Sequence, residues 1–121
     1  MVTKLKASNG TLSFSSDGWC TVSLELQSGS LDLGADERRV VSEGLLRVMR
    51  EAPIQIIGEI DGTPVGWVAS LSEKHGTLYW GRYLDGYRLY AQAEDGGTIG
   101  FLTLTEAQRA DWISELSSWK T

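Results

Sequence analysis

The sequence predicts an α+β fold of antiparallel β-meanders, with eight or nine strands in all, and two α-helices. Short apolar runs are separated by Asx-Gly and Gly-rich turn signals, which are typical of tight hairpins. Two segments, about 35–51 and about 106–118, instead carry apolar residues at helical spacing. A faint internal echo further predicts two meander-plus-helix units, 2–51 and 72–119, joined by a hairpin over 54–71.

The turn signals place the strands. They are Asn9-Gly10, Asp17-Gly18, Asp61-Gly62, Asp85-Gly86 and Asp95-Gly96-Gly97. These residue types tolerate the positive φ that two-residue hairpin turns require. The strands predicted between them are 2–7, 11–15, 19–27, 30–33, 54–60, 64–71, 77–84, 87–93 and 98–104.

Each predicted helix has an apolar stripe and a recognisable boundary. Pro53 ends the first helix, because the residue before a proline avoids the helical region. Thr105 and Gln108 fit the capping box that begins the second. The first stripe consists of Val41, Leu45, Val48 and Met49. The second consists of Trp112, Ile113, Leu116 and Trp119. Four arginines on the first helix, at positions 38, 39, 47 and 50, form the main basic feature of the chain.

The internal echo keeps its order along the chain. Three segments recur: Gly10-Thr11-Leu12 as Gly76-Thr77-Leu78, Asp17-Gly18-Trp19 as Asp85-Gly86-Tyr87, and Leu31-Asp32-Leu33 as Leu102-Thr103-Leu104. Two interpretations stand. One is duplication of a single unit, and the other is convergence, because strand–turn–helix segments commonly share a Leu-x-Leu pattern.

The Asp85-Gly86 turn also predicts which side chains share a face of the sheet. A two-residue loop there pairs Leu84 with Tyr87, and side chains alternate between faces along each strand. One face is then an aliphatic core that includes Trp67 and Trp80. The other face, which we name the tyrosine face, carries Tyr79, Tyr83, Arg88, Tyr90, Gln92, Ile99 and Phe101. A register slip of one residue would exchange the two faces.

The tyrosine face is too apolar for an ordinary solvent-facing surface. Two interpretations are open. In the first, the fold is layered, the N-terminal strands cover the tyrosine face, and the face is a second core. Alternatively it is a surface for a partner or for a second copy of the chain, since large apolar patches mark interfaces and Tyr and Arg are enriched at their hot spots.

Composition limits the classes of function. The chain of 121 residues fits one domain, 1–121, and its content of 41% hydrophobic and 22% charged residues is that of a globular protein. A net charge of −5 disfavours broad binding to nucleic-acid phosphates and favours a basic protein partner. No apolar run is long enough to span a membrane. The single cysteine, Cys20, indicates a reducing compartment, and we expect a cytoplasmic protein.

Catalytic motifs are absent from the sequence, so we predict that the protein is not an enzyme and uses no cofactor or metal. His75 is the only histidine and lies in a polar loop, where Glu73 could orient it for acid–base work. Most exposed loop histidines have no catalytic function, and we expect the same of His75. Cys20 lies in a predicted strand, where we expect a buried and unreactive thiol. The acidic residues at the turns number one or two per hairpin, as is usual for Asp and Asn in turns. A calcium loop would need several oxygen ligands at fixed spacing within one loop.

The second unit, from Gly81-Arg82-Tyr83 through Gly100-Phe101-Leu102-Thr103-Leu104-Thr105 to the Trp112 helix, resembles the sheet-then-helix unit of the PC4, PUR and Whirly families. Those families bind single-stranded nucleic acids. The resemblance implies a curved sheet that holds bases with aromatic and basic residues. This chain departs from the pattern at 97–100, where Gly97, Thr98, Ile99 and Gly100 replace the expected lysines.

The sequence therefore favours a small, non-catalytic binding protein that acts through another protein or through its own dimer. Inhibitors, immunity proteins and adaptors of bacteria or phages often share this size, acidity and lack of catalytic motifs. This similarity is an analogy between classes of protein and not an argument from particular residues. Single-strand nucleic-acid binding is the alternative, and it requires a positive groove beside the stacking aromatics.

Overall fold

The protein folds into two antiparallel sheets, each followed along the chain by one helix, which confirms the predicted α+β class. The computed structural model describes residues 2–16, 19–51, 55–72, 75–93 and 99–119. Nine strands lie within these residues, and each sheet is a meander in which sequential strands are neighbours.

The N-terminal sheet has the order β1-β2-β3-β4 and is followed by α1. Its elements are β1 (Val2–Lys6), β2 (Gly10–Ser16), β3 (Trp19–Leu26), β4 (Gly29–Glu37) and α1 (Arg38–Arg50). The predicted helix start near 35 is wrong by three residues. Residues 34–37 continue β4 instead, because they pair with β3 from Val22 to Trp19 after a bulge. The predicted stripe of α1 is buried, and Pro53 lies outside the described residues.

The C-terminal sheet has the order β5-β6-β7-β8-β9 and is followed by α2. Its elements are β5 (Gly58–Ile60), β6 (Thr63–Ser70), β7 (Thr77–Tyr83), β8 (Gly86–Gln92), β9 (Ile99–Leu104) and α2 (Glu106–Ser117). The predicted capping box is present. Thr105 Oγ1 accepts from the Gln108 backbone N–H at 3.1 Å, and Gln108 Oε1 accepts from the Thr105 N–H at 2.9 Å.

The two halves share one core, which each sheet enters with a single face. Buried side chains of both sheets and both helices form one cluster, which includes Leu24, Leu45, Trp80, Leu102 and Trp112. The packing of the helices crosses between the halves. Gly44 of α1 lies against Val68 of β6, and the Trp112 indole N–H of α2 donates to the Lys6 carbonyl of β1 at 2.7 Å.

An asparagine side chain joins the β1–β2 turn to the outer edge of β9. Asn9 Nδ2 donates to the Phe101 carbonyl at 3.0 Å, and Asn9 Oδ1 accepts from the Thr103 N–H at 2.8 Å. The Ser8 N–H donates to the Thr103 carbonyl at 2.8 Å. The turn thus supplies the hydrogen bonds that a neighbouring strand would otherwise provide, and it closes this edge of the C-terminal sheet to strand addition.

The two Asp-Gly hairpins that the structure describes differ in whether the glycine is one of the two turn residues. Asp61 and Gly62 are both turn residues, with φ of 49° and 79° between the paired Ile60 and Thr63. The β7–β8 turn instead consists of Leu84 and Asp85, with Leu84 at φ 53°. Gly86 has a different role, because a Cβ at this position would lie 2.2 Å from the Leu104 carbonyl oxygen.

Leu84→Asn should stabilise the protein. Leucine is unfavourable in the left-handed region, which asparagine tolerates. The Leu84 side chain is 85% exposed, so little packing is lost. We expect a gain of about 0.5–1 kcal/mol in the free energy of unfolding, measured by urea denaturation. Leu84→Ala keeps the strain and serves as the control; an equal gain in both variants would contradict this account.

Asn9→Ala should destabilise the junction of the two halves. The change removes two hydrogen bonds and leaves the Thr103 N–H without its partner, which costs about 1–2 kcal/mol. Urea denaturation measures the loss, with the exposed turn variant Gln27→Ala as the control. Equal stability of the two variants would show that the Asn9 bonds contribute nothing.

Candidate functional site

The observed pairing of β7 with β8 keeps the predicted faces although the predicted partners are wrong. Arg82, not Leu84, lies opposite Tyr87, and Tyr83 lies opposite Gly86. Each residue of β8 is therefore paired with the residue of β7 two positions before its predicted partner. Because side chains alternate with a period of two, such a displacement leaves each side chain on its predicted face. The pairing of β8 with β9 then brings Phe101 beside Tyr90 and Ile99 beside Gln92.

Trp67 does not lie in the core with Trp80, as the sequence predicts. It lies opposite Tyr79 and therefore belongs to the tyrosine side of the sheet, where it is 44% exposed. The cause is a bulge in β6 between Trp67 and Ala69. The extra residue, Val68, is buried in the shared core, so the alternation of faces is interrupted at this point.

The N-terminal half packs on the side of the C-terminal sheet opposite to the tyrosine face. A Cβ at Gly100, which pairs with Ala91 on the core face, would lie 2.9 Å from the Leu24 side chain of β3. Tyr90 and Val65 are buried but do not belong to the shared core cluster. The tyrosine face is thus a separate outer layer, and the N-terminal strands do not cover it.

Arg88 organises this outer layer. The centre of its guanidinium group lies 3.4 Å from the Tyr83 ring centroid and 3.9 Å from that of Phe101. Its Nη1 donates to the Tyr90 hydroxyl at 3.4 Å, and its Nε is buried without an acceptor in the described part of the chain. Cation–π contacts of this kind hold the charge within the layer and fix the rings around it.

Exposure increases from the centre of the layer to its margin. Tyr90 is 0% exposed, and its ring centroid lies 5.9 Å from that of Phe101. Tyr79, Tyr83 and Phe101 are half-buried. At the margin Ile99 is 40% exposed, and it borders a shallow depression of about 430 Å³. The depression is lined by Ile57, Gly58, Glu59, Ile60, Asp61, Val65, Tyr79, Gln92 and Ile99.

The corresponding outer face of the N-terminal sheet has a different composition. Its paired residues are mainly hydroxyl-bearing or charged: Lys4, Thr11, Ser13, Ser15, Thr21, Ser23 and Glu25. Val2 and Trp19 stand at its ends. Ser13 of this face is buried, and the terminal Val2 and Trp19 are 58% and 52% exposed. The same chain therefore builds one outer sheet face that is mainly polar between its ends and one that is aromatic at its centre. This internal contrast identifies the tyrosine face as the candidate site.

The candidate catalytic residues do not form a site among the described residues. Cys20 is fully buried, and burial raises the pKa of its thiol, which disfavours the reactive thiolate. His75 is exposed with φ 55°, and Glu73 lies outside the described residues. No group of three or more His, Cys, Asp or Glu in the described ranges is placed to hold a metal ion.

Within the described part of the chain, no helix combines the length and the apolar character needed to cross a membrane.

Comparisons with protein-family models, with curated proteins and with solved structures find no match to this chain. The resemblance to the PC4, PUR and Whirly families therefore stays an expectation from the sequence.

Tyr90 and Trp67 should respond differently to truncation. Tyr90→Ala removes a fully buried ring and should cost about 3–5 kcal/mol in the free energy of unfolding. Trp67→Ala removes a ring that is partly in solvent and should cost less, about 1–2 kcal/mol. Urea denaturation of both variants measures the difference. Similar losses would show that the layer has no exposed margin.

Proposed function

We propose that this protein is a non-catalytic binding module that holds another protein on the tyrosine face. The observation that carries the proposal is the contrast between the two outer sheet faces. Packing within the layer accounts for the buried Tyr90 and Val65, but not for Trp67 and Ile99, which are 44% and 40% exposed on a face that the N-terminal half leaves uncovered. Exposed apolar patches with Tyr, Trp and Arg are typical of protein interfaces. An inhibitor, immunity protein or adaptor in the cytoplasm works in this way.

The charges favour a protein over a nucleic acid. Arg88 is the one cation among the seven residues of the tyrosine face, and its guanidinium group already stacks on Tyr83 and Phe101. Glu59 and Asp61 line the adjacent depression. Single-strand binding requires a positive groove that follows the phosphates, so these carboxylates oppose it. They suit a partner that brings lysine or arginine.

The shape of the face suggests how the partner docks. Ile57, Val65 and Ile99 give the depression an apolar lining. Trp67 does not line it but is paired with Tyr79, which does. We infer that an apolar side chain of the partner enters the depression while its basic neighbours meet Glu59 and Asp61. The fixed rings around Arg88 then supply a flat surface that loses little side-chain freedom on binding.

The proposal is tested by crosslinking from two faces of the same protein. Ile99 is replaced by the photo-crosslinking amino acid p-benzoylphenylalanine, and Val2, which is exposed on the polar outer face, receives the same residue as the control. We expect a discrete adduct with a second protein in a cell lysate from position 99 only. Trp67→Ala should weaken capture of that protein roughly tenfold or more while leaving the protein folded.

The alternatives give different results. A second copy as the partner would appear as an adduct of two chains and as a dimer in light scattering. Saturable anisotropy changes with single-stranded oligonucleotides at low salt, lost in Trp67→Ala, would replace the proposal by the nucleic-acid alternative. Equal adducts from both positions, or none from position 99, would overturn it.

A further inference from the structure

A second concavity, of about 320 Å³, lies on the other side of the C-terminal sheet. It is formed where the C-terminal end of α1, the β7–β8 hairpin and α2 meet. Arginines from all three elements, Arg50, Arg82 and Arg109, contribute to its lining, and we name it the arginine cleft. Its volume is at the small end of the range for small-molecule sites, which are mostly apolar with a few convergent polar groups.

The walls of the arginine cleft are flat and apolar. Trp80 and Tyr87 stack with ring centroids 5.2 Å apart and an interplanar angle of 17°. Met49, Pro64 and Ile56 also line the cleft. Trp80 is fully buried, and its indole N–H has no acceptor among the described residues. Trp80 supports Tyr87 from behind, and the Arg109 guanidinium centre lies 5.2 Å from the Tyr87 ring centroid. The surface offered to a planar ligand is therefore that of Tyr87 and the aliphatic residues.

Not all of the charge in the cleft is available to a ligand. Arg109 donates to the Glu106 carboxylate and to the Met49 carbonyl. The Tyr87 hydroxyl donates to Glu106 Oε2 at 2.8 Å. The hydrogen bonds from Arg109 and Tyr87 lower the pKa of Glu106, so this carboxyl is ionised at neutral pH and balances Arg109.

Arg82 and Arg50 form no salt bridge in the described part of the chain, although the charge of Arg82 also helps to lower the pKa of Glu106. Arg82 is exposed, and its guanidinium centre lies 5.7 Å from the Tyr87 ring centroid. In the described part of the chain no carboxylate lies within salt-bridge distance of it, and Arg50 donates to the Ser117 hydroxyl. Glu51 is the one acid in the lining. A protein with a net charge of −5 therefore has a cleft with an excess of positive charge.

We propose that the arginine cleft binds a small planar anion, an aromatic carboxylate. The ring of the ligand packs against Tyr87, Met49 and Pro64, and the carboxylate binds Arg82 with Arg50 beside it. Arginine and carboxylate form charge-assisted, frequently bidentate hydrogen bonds. This site does not depend on the proposed function, because the cleft and the tyrosine face lie on opposite sides of the C-terminal sheet.

The test uses 2-naphthoate as the probe and 2-naphthamide as its neutral isostere. Binding is followed by ¹H–¹⁵N chemical shifts of the full chain, including the arginine Nε and tryptophan indole groups. We expect saturable shifts for 2-naphthoate at Arg82, Tyr87 and the Trp80 indole, and much weaker binding of the amide. Arg82→Gln should raise the Kd for 2-naphthoate roughly three- to tenfold.

Arg39→Gln is the matched control, since Arg39 is an exposed arginine of α1 that does not line the cleft. It should leave the Kd unchanged. Equal affinities for the carboxylate and the amide would remove the role of charge and overturn the proposal. Shifts confined to the tyrosine face, or no saturable shift at millimolar probe, would overturn it as well.

Discussion

The shared core constrains the rest of the structure, because each sheet can bury only one face against the other half of the chain. Leu24 from one sheet and Leu102 from the other enter the same cluster, and the helices fill the space beside them. The Trp112 hydrogen bond to Lys6 and the contact of Gly44 with Val68 tie each helix to the sheet of the other half. Once these contacts are made, two outer sheet faces remain, and only side-chain chemistry distinguishes them.

The C-terminal half carries both candidate sites, one on each side of its sheet. On its outer side, Arg88 holds aromatic rings in place by stacking, so the layer is ordered before anything binds. On its inner side, Arg82 and Tyr87 of the β7–β8 hairpin line a cleft together with residues of α1 and α2. The same two strands, β7 and β8, thus supply the proposed interaction surface on one side and a charged concavity on the other.

Much of the fold could be predicted from the sequence, because hairpin signals and helical stripes are local. The positions that could not be predicted depend on distant contacts. The sequence predicts Gly86 as a turn residue, but Gly86 instead lies in β8, where the Leu104 backbone leaves no room for a side chain. The turn consists of Leu84 and Asp85, with Leu84 in the left-handed region. Val68 packs against Gly44 of α1 at a bulge in β6. The bulge places Trp67 on the face opposite to the predicted one. The arginine cleft joins three elements that lie far apart along the chain, so no local pattern could indicate it.

The crossed packing of the helices has a consequence for how the chain folds and associates. α1 packs on β6 and α2 packs against β1, so each helix takes part of its packing from the half of the chain to which it does not belong. A dimer in which two copies exchanged their halves would make the same contacts between copies, which is domain swapping. Such a dimer separates only on the timescale of unfolding, whereas one formed on the tyrosine face dissociates without it. The rate at which subunits exchange would therefore distinguish the two kinds of dimer.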